Sequence, residues 1–390
     1  MKIKILHLQS GDGLSGGISE YIKEITSNNK NSELIFFVNV NNKKLCQKSL
    51  NFYPNCQLIS SDFKTYNFIN FFKKIATLRK LIKKYNIDLV HSHALRAGIL
   101  CAIYSIFFKI KFIHTNHGLR FKQKETPFKK FIFKILEIIL INYSQKYIYI
   151  RKIDYESIKE LMANKLFNQK NKTKLAYVKT KIKLPLYCSC KNTLNENHIP
   201  KIVGIGSLVP VKRIELFIDS LYFLKKSNFK FESIWIGDGI LKNELMKKNN
   251  EKNIPVKFLG KLSKKDVLKE LSDASLFLMT SKYEISPLSL KESLWAGLPI
   301  IAPNFYGIRE IINESQIFEL FPVDIDPFAL FQIIKKVLEN QKLLSEMSKG
   351  SSQYFWEYFY NDGSFNNKYN GIYYETIKKV LEYSKAQLIK

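Results

Sequence analysis

Acidic side chains are scarce in this chain: 34 Asp and Glu stand against 62 Lys and Arg in 390 residues, leaving a formal charge of +28. A surface with that deficit attracts anions, whether phosphate, lipid headgroup or nucleic acid. Cysteine is scarce too. Cys46, Cys56, Cys101, Cys188 and Cys190 are odd in number and scattered, with no Cys-x-x-Cys pair and no spaced histidine set beside them. That excludes a disulfide scaffold, gives no zinc motif and fits a reducing cytoplasm. Long apolar runs are missing as well: the stretches 99–108 and 131–141 are too short or are broken by Lys134 and Glu137, so no membrane-spanning helix is expected. The opening MKIKILHLQSGDG has too brief an apolar run for a secretion signal. No internal repeat of fixed period and no coiled-coil pattern organises the chain.

What is present is enough apolar material, 46%, for two cored domains at this length. The charge is uneven, +23 over residues 1–198 and +5 over residues 199–390. Lys109, Lys111, Arg120, Lys122, Lys124, Lys129, Lys130 and Lys134 crowd around Phe121, Phe128, Phe131 and Phe133. Basic groups interleaved with aromatics suit an anionic membrane surface, where the rings enter the interface. Nucleic acid is the competing partner, although no nucleic-acid module is recognisable. A lysine-rich bias that only keeps the surface soluble is the plain alternative, and the asymmetry between halves argues against it.

Strand and helix patterns alternate. IKILHL, LIFFVNV, IDLVHSH and KFIHTNHG read as strands, as do residues 147–150; glycines 11, 13, 16 and 17 follow the first, and helices are expected near 18–25, 68–85 and 155–162. Residues 164–200 turn polar, which marks a domain boundary. The pattern restarts with strands KIVGIGSL, SIWIGDG, VKFLG, SLFLMTS and PIIAP and helices over 214–224 and 241–248. This is an α/β chain with parallel sheets covered on both faces, divided as 1–190, 198–345 and C-terminal helices over 346–390 that pack back toward the first domain. A ligand belongs at the C-terminal edges of the strands.

The densest chemical signal is SKYEISPLSLKESLWAGLPI. Ser286 as cap and Pro287 at the first turn predict a short helix over 287–296, stopped by Gly297 and Pro299. Glu292 then falls on the helix's apolar side, away from Lys291, and needs a partner. Glu284 lies just before the helix N-terminus, where free N–H groups favour an anion. The two carboxylates can grip hydroxyls beside an anion cradle; the plain alternative is one structural glutamate and one solvated one.

These motifs, in this order, resemble the family-4 retaining glycosyltransferases of the GT-B architecture over nearly the whole chain: GLSGGISEYI, DLVHSH, FIHTNHG, GSLVPVKRIELFIDSL, IGDG, VKFLG and the Glu-x7-Glu segment. The resemblance implies two Rossmann-like doubly wound domains facing across a cleft. It implies that Glu292 binds ribose hydroxyls, that Glu284 binds the transferred sugar, and that N–H groups near Leu288 and Ser289 face the donor diphosphate. Lys212 matches the lysine that neutralises the leaving diphosphate, with Arg213 able to share the task; its plain alternative is an exposed helix-start lysine. Gly16 and Gly17 match the loop that approaches the donor, and His117 a position beside the reacting sugar. His91 and His93 match the family's strand end and are expected to be structural or acceptor-side.

The chain departs from the pattern at three places. Ser207 stands where the family usually has arginine, Ile285 where it usually has glycine, and VKTKIKLP replaces an Asn-Gly turn. Asp324-Ile325-Asp326 looks like a metal-binding Asp-x-Asp but lies after the nucleotide motifs and before Pro327, so it reads as a decoy. The resemblance thus implies a metal-independent hexosyltransferase with no cofactor beyond its nucleoside-diphosphate sugar substrate. A surface-glycan or lipid-linked saccharide is the expected acceptor, at the inner face of the cell membrane. The alternatives are a GT-B protein that binds the donor without transfer, motivated by Ser207 and Ile285, and a basic nucleic-acid binder.

Overall fold

The computed structural model describes residues 3–9, 17–26, 32–38, 56–60, 68–108, 110–122, 125–163, 173–186, 199–306, 308–312 and 318–360, with 368, 371, 372, 375, 376 and 378 beyond them. Gly16, Cys46, Cys188 and Cys190 fall outside this set. The chain forms two compact units, one of residues 1–180 with 361–390 and one of residues 181–360. Residues 346–360 therefore belong to the second unit.

In the first unit the strands are β1 (Ile3–Gln9), β2 (Ser32–Val38), β3 (Cys56–Ser60), β4 (Leu89–His93), β5 (Phe112–Asn116), β6 (Lys146–Tyr149) and β7 (Leu175–Tyr177). They pair in parallel in the order β3-β2-β1-β4-β5-β6-β7. Between them run α1 (Gly17–Thr26), α2 (Phe68–Tyr85), α3 (Ala94–Phe108), α4 (Pro127–Tyr143) and α5 (Lys152–Ala163). β4 and β5 are buried at every residue, as strands covered on both faces must be. The apolar pattern of α4 is only half used: Leu140 and Ile141 enter the core, whereas Phe128 (73% exposed) and Phe131 (62%) stand in solvent.

The second unit has β8 (Lys201–Ile205), β9 (Glu232–Ile236), β10 (Val256–Gly260), β11 (Leu276–Leu278), β12 (Ile300–Pro303) and β13 (Phe318–Phe321), parallel in the order β10-β9-β8-β11-β12-β13. Its helices are α6 (Ile214–Lys226), α7 (Lys242–Glu251), α8 (Lys264–Ser272), α9 (Leu288–Trp295), α10 (Ile308–Ile311), α11 (Pro327–Glu339) and α12 (Gln341–Tyr358). One apolar cluster contains Val203, Phe277, Leu294 and Phe355; another contains Ile202, Phe217, Trp235 and Ile334. Adjacent residues of β8 thus feed different clusters, as the strand's two-residue period requires. Strand order reverses between β1 and β4 in one unit and between β8 and β11 in the other. Such switch points open a crevice at the strands' carboxyl ends, and the predicted residues follow these ends.

Candidate active site

In the second unit the turns leaving β8 and β11 meet. Residues 206–209 lead from β8 into a 3-10 turn, Pro210–Lys212. The stem of Lys212 lies across Gly206, where an added Cβ would sit 3.2 Å from the lysine's Cδ. This lets the ammonium reach the β11 turn and pair with Glu284 Oε1, which also accepts a hydrogen bond from Ser281 Oγ at 2.8 Å. One side-chain bond and one backbone bond stitch the turns together: Thr280 Oγ1 donates to Lys212 O at 2.8 Å and Lys282 N to Val211 O at 2.8 Å. The pair is mostly buried, with Lys212 19% and Glu284 14% exposed, so water screens it less than a surface pair.

The predicted helix forms as α9, and its ends differ in detail. Pro287, not Ser286, occupies the cap, with φ −64° and ψ 118° and no side-chain cap bond. Ser286 instead accepts a bond from Lys291 Nζ at 3.0 Å. Lys291 is itself 1% exposed, with its ammonium 5.2 Å from the Phe359 ring centre. Lys291 lies on the other side of the helix from the apolar face expected for Glu292, yet α9 is buried at every residue from Leu290 on, and a hydroxyl and an aromatic face receive the lysine's charge. Gly297, at φ 62°, ends the helix as expected. Glu292 is buried at 6% exposure and pairs with Lys264 Nζ from the start of α8. Leu288 and Ser289 form the first turn, where backbone N–H groups have no carbonyl one turn back.

Ser207 is exposed at the end of β8. Arg213 turns elsewhere: its backbone is left-handed at φ 47°, Nε donates to Thr280 O at 2.8 Å, and Nη1 donates to Val323 O. It ties the β11 and β13 ends together, with two guanidinium nitrogens committed to backbone. Asp326 caps α11, its Oδ1 accepting from Phe328 N at 2.9 Å and Ala329 N at 3.0 Å. The Asp-x-Asp spelling is thus a helix start.

In the first unit Gly17 opens α1, with open space where a Cβ would lie. Tyr21, one turn later, sets its ring edge-on to His117, centroids 5.0 Å apart. His117 is 7% exposed and leaves β5 beside a Gly118 at φ 129°. Asn116 holds this bend: its Oδ1 accepts from Gly118 N at 2.5 Å, while its Nδ2 donates to Glu137 Oε1 at 2.9 Å and to Tyr147 OH at 3.0 Å. Tyr147 OH donates to the other oxygen of Glu137. Burial raises the Glu137 carboxyl to about 7, against the lowering effect of the Tyr147 and Asn116 bonds. Burial alone lowers His117 to about 3.

Sequence reasoning missed Ser281, Lys264, Asn116 and Glu137. Glu137 was visible only as an acid interrupting an apolar run. Asn116 reaches Glu137, 21 residues on, and Lys264 reaches Glu292, 28 residues on, pairings that only folding makes; Ser281 sits three residues before Glu284 with no motif to mark it.

The family model "Glycosyltransferase Family 4" matches residues 55–162 and "Glycosyl transferases group 1" matches residues 191–354. An Escherichia coli UDP-Gal:alpha-D-GlcNAc-diphosphoundecaprenol alpha-1,3-galactosyltransferase is 28% identical over 295 residues, covering 71% of this chain and 73% of its own. A Staphylococcus aureus capsular polysaccharide biosynthesis glycosyltransferase, CapH, is 26% identical over 281 residues, 68% of this chain and 73% of its own. Among solved structures, HepE of Anabaena in complex with UDP and glucose superposes with a TM-score of 0.72 at 14% identity, over 96% of this chain and all of that one.

Proposed function

The chain belongs to the group 1 glycosyltransferases of the GT-B fold, and from that premise we propose that it transfers a hexose-like sugar, with retention, from a nucleoside diphosphate to a lipid-linked or surface-glycan saccharide at the cytoplasmic membrane face. The observation that carries this reading is the Lys212–Glu284 pair at the β8/β11 switch point, with Glu292 eight residues further along the same segment. Glu284 grips hydroxyls of the transferred sugar, a charge-assisted contact worth about 1.5–3 kcal/mol. Glu292, steadied by Lys264, accepts from the ribose hydroxyls. Lys212 and the first-turn N–H groups of Leu288 and Ser289 receive the diphosphate, whose charge grows as the sugar's anomeric C–O bond breaks. The acceptor oxygen attacks from the departing side, and its proton passes to the leaving diphosphate. No catalytic metal enters this scheme, nor any cofactor besides the sugar nucleotide. Gly16, Gly17 and His117 serve the same reaction from the first domain, His117 by binding a sugar hydroxyl.

The relatives support the substrate class, since one acts on a diphosphoundecaprenol-linked sugar and one belongs to capsule synthesis. For the membrane face, the support is the exposed apolar set Phe107, Phe128, Phe131 and Ile135, set among Lys129, Lys130 and Lys134 on the ends of α3 and along α4. Rings flanked by ammonium groups match an anionic bilayer surface. No helix among the described residues is long and apolar enough to cross a membrane.

Incubation with a panel of nucleoside-diphosphate sugars and a lipid-linked saccharide acceptor tests the proposal by released nucleotide; no turnover with any donor would sink it. A second reading, donor binding without transfer, draws on Ser207, which lacks the positive charge usual there, together with the backbone carbonyls of Thr280 and Val323 that hold Arg213 Nε and Nη1. Transfer that Glu284→Ala abolishes would reject this alternative.

A further inference from the structure

Five of the chain's six histidines lie in one part of the first unit, and the glycosyl-transfer scheme uses one of them. His7 on β1 stands in register with His91 on β4, so both side chains leave the same face of the sheet; His93, two residues on, leaves it too. His117 follows the end of β5, and Tyr21 of α1 covers His93 and His117 with ring centroids 6.1 and 5.0 Å away. The ring nitrogens form a row. His7 Nδ1 lies 3.1 Å from His93 Nε2, and His93 Nδ1 lies 3.4 Å from His117 Nε2. His91 stands beside the row with its Nε2 2.8 Å from Thr115 Oγ1. His114 faces the other way, its Nδ1 2.9 Å from Ser92 Oγ.

A neutral imidazole has one N–H and one lone pair, so nitrogen-to-nitrogen contacts at both ends of His93 require the proton order to run one way through all three rings. Only two orders exist: every donor points toward His117, or every donor points toward His7. A doubly protonated His93 would instead donate at both ends and break this one-way order. Burial disfavours that state, holding His7 and His117 near 3 and His93 well below its ordinary value; the groups acting electrostatically on His93 are His91, His7, His117 and His114.

We propose that His93 and His7 are positioning residues for His117: the row commits His117 Nε2 to His93, presents Nδ1 to a ligand hydroxyl, and couples the choice between donor and acceptor at Nδ1 to the state of His7. This rests on the reading of His117 as a sugar-side residue. It also gives a role to His7 and His93, which the transfer scheme leaves unused at the β1/β4 switch point. The nearest nitrogens of His7, His91 and His93 lie within 4.8 Å of one another, a spacing that also admits a metal ion. His7 Nδ1 and both nitrogens of His93 are taken by the short pairings and His91 Nε2 by Thr115, which favours the hydrogen-bonded row over ligation.

The test is two-bond proton–nitrogen NMR on the full chain labelled with 15N-histidine, recorded from pH 5.5 to 8 for the wild type, His93→Phe and His7→Phe. The expected wild-type pattern is three neutral rings, each in one tautomer. In His93→Phe the His117 signals collapse to a tautomer average, and kcat for transfer falls about 10- to 100-fold while the donor KM is unchanged. His93→Gln repeats the measurement if the phenylalanine variant fails to fold. An unchanged His117 tautomer in a folded His93 variant would overturn the proposal, as would one equivalent of tightly bound zinc that His7→Phe abolishes. His117→Ala with undiminished transfer would overturn the sugar-side reading itself, an outcome distinct from failure of the row, which shows in the spectra alone.

Discussion

Lys212 and Ser281 both donate to Glu284 Oε1, so removing Lys212 or Glu284 strands the other in a mostly buried turn. Loss of a donor that stabilises growing negative charge costs about 100- to 1000-fold in kcat, and that is the expected result for Lys212→Ala, together with a lower melting temperature because Glu284 is left without its cation. Glu284→Gln keeps the shape and drops the charge, which lowers kcat/KM about 10- to 100-fold if charge-assisted bonds to sugar hydroxyls are lost. Steady-state assays with the donor found in the panel measure both. Glu284 and Glu292 were legible from the sequence because a cap-and-stop signal frames them. Their cations were not: Lys212 was visible only through the family resemblance, and Lys264 comes from a neighbouring helix 28 residues earlier.

At the scale of elements, the parallel strands and most helices could be read from apolar periodicity and turn residues, because a buried β11 or β12 has to be continuously apolar or small. β3, β7 and β13 were not read. β7 spans only three residues, and Gln57 and Glu319 interrupt the apolar runs of β3 and β13. Within β8, Gly204 faces the Trp235 ring, and a Cβ there would lie 2.4 Å from Cε3. Gly204→Ala therefore overpacks the core beneath the nucleotide turn, costing about 1–3 kcal/mol, read as a lower denaturation midpoint with the same fold by circular dichroism. On α4, Glu137 and Leu140 face inward while Phe128 and Phe131 face out. Phe128→Asp with Phe131→Asp is expected to abolish sedimentation with anionic phosphatidylglycerol vesicles while leaving turnover on a water-soluble acceptor intact; unchanged sedimentation would remove the support for a membrane face.

For the whole molecule, the buried histidines set the pH response. His7, His114 and His117 are held near 3 when folded and return to about 6.5 when unfolded. Below pH 6.5 the unfolded chain therefore binds more protons, and stability is lost as pH falls, at about 1.4 kcal/mol per pH unit for each histidine. Glu137 works the other way. Its folded value of about 7 lies above the ordinary 4.5, so its contribution is lost as pH rises between those values. The histidines outnumber it, and urea midpoints of the first unit's transition are expected to fall steadily from pH 6.5 to 4; a flat or rising midpoint would contradict the burial of these rings.

The sequence by itself determined the α/β class, the restart of the pattern after residue 200, the basic first half and the glutamate pair, because periodicity, turn chemistry and charge are local or additive properties. Only the tertiary structure decided what each charged or titratable group faces. Lys291 went inside, Arg213 turned to backbone carbonyls, Asp326 became a cap, and His7 and His93 lined up with His117. Partners of that kind come from separate strands and helices, and parallel strand order, which brings β1 beside β4 and β8 beside β11, is a long-range property that no stretch of sequence carries alone.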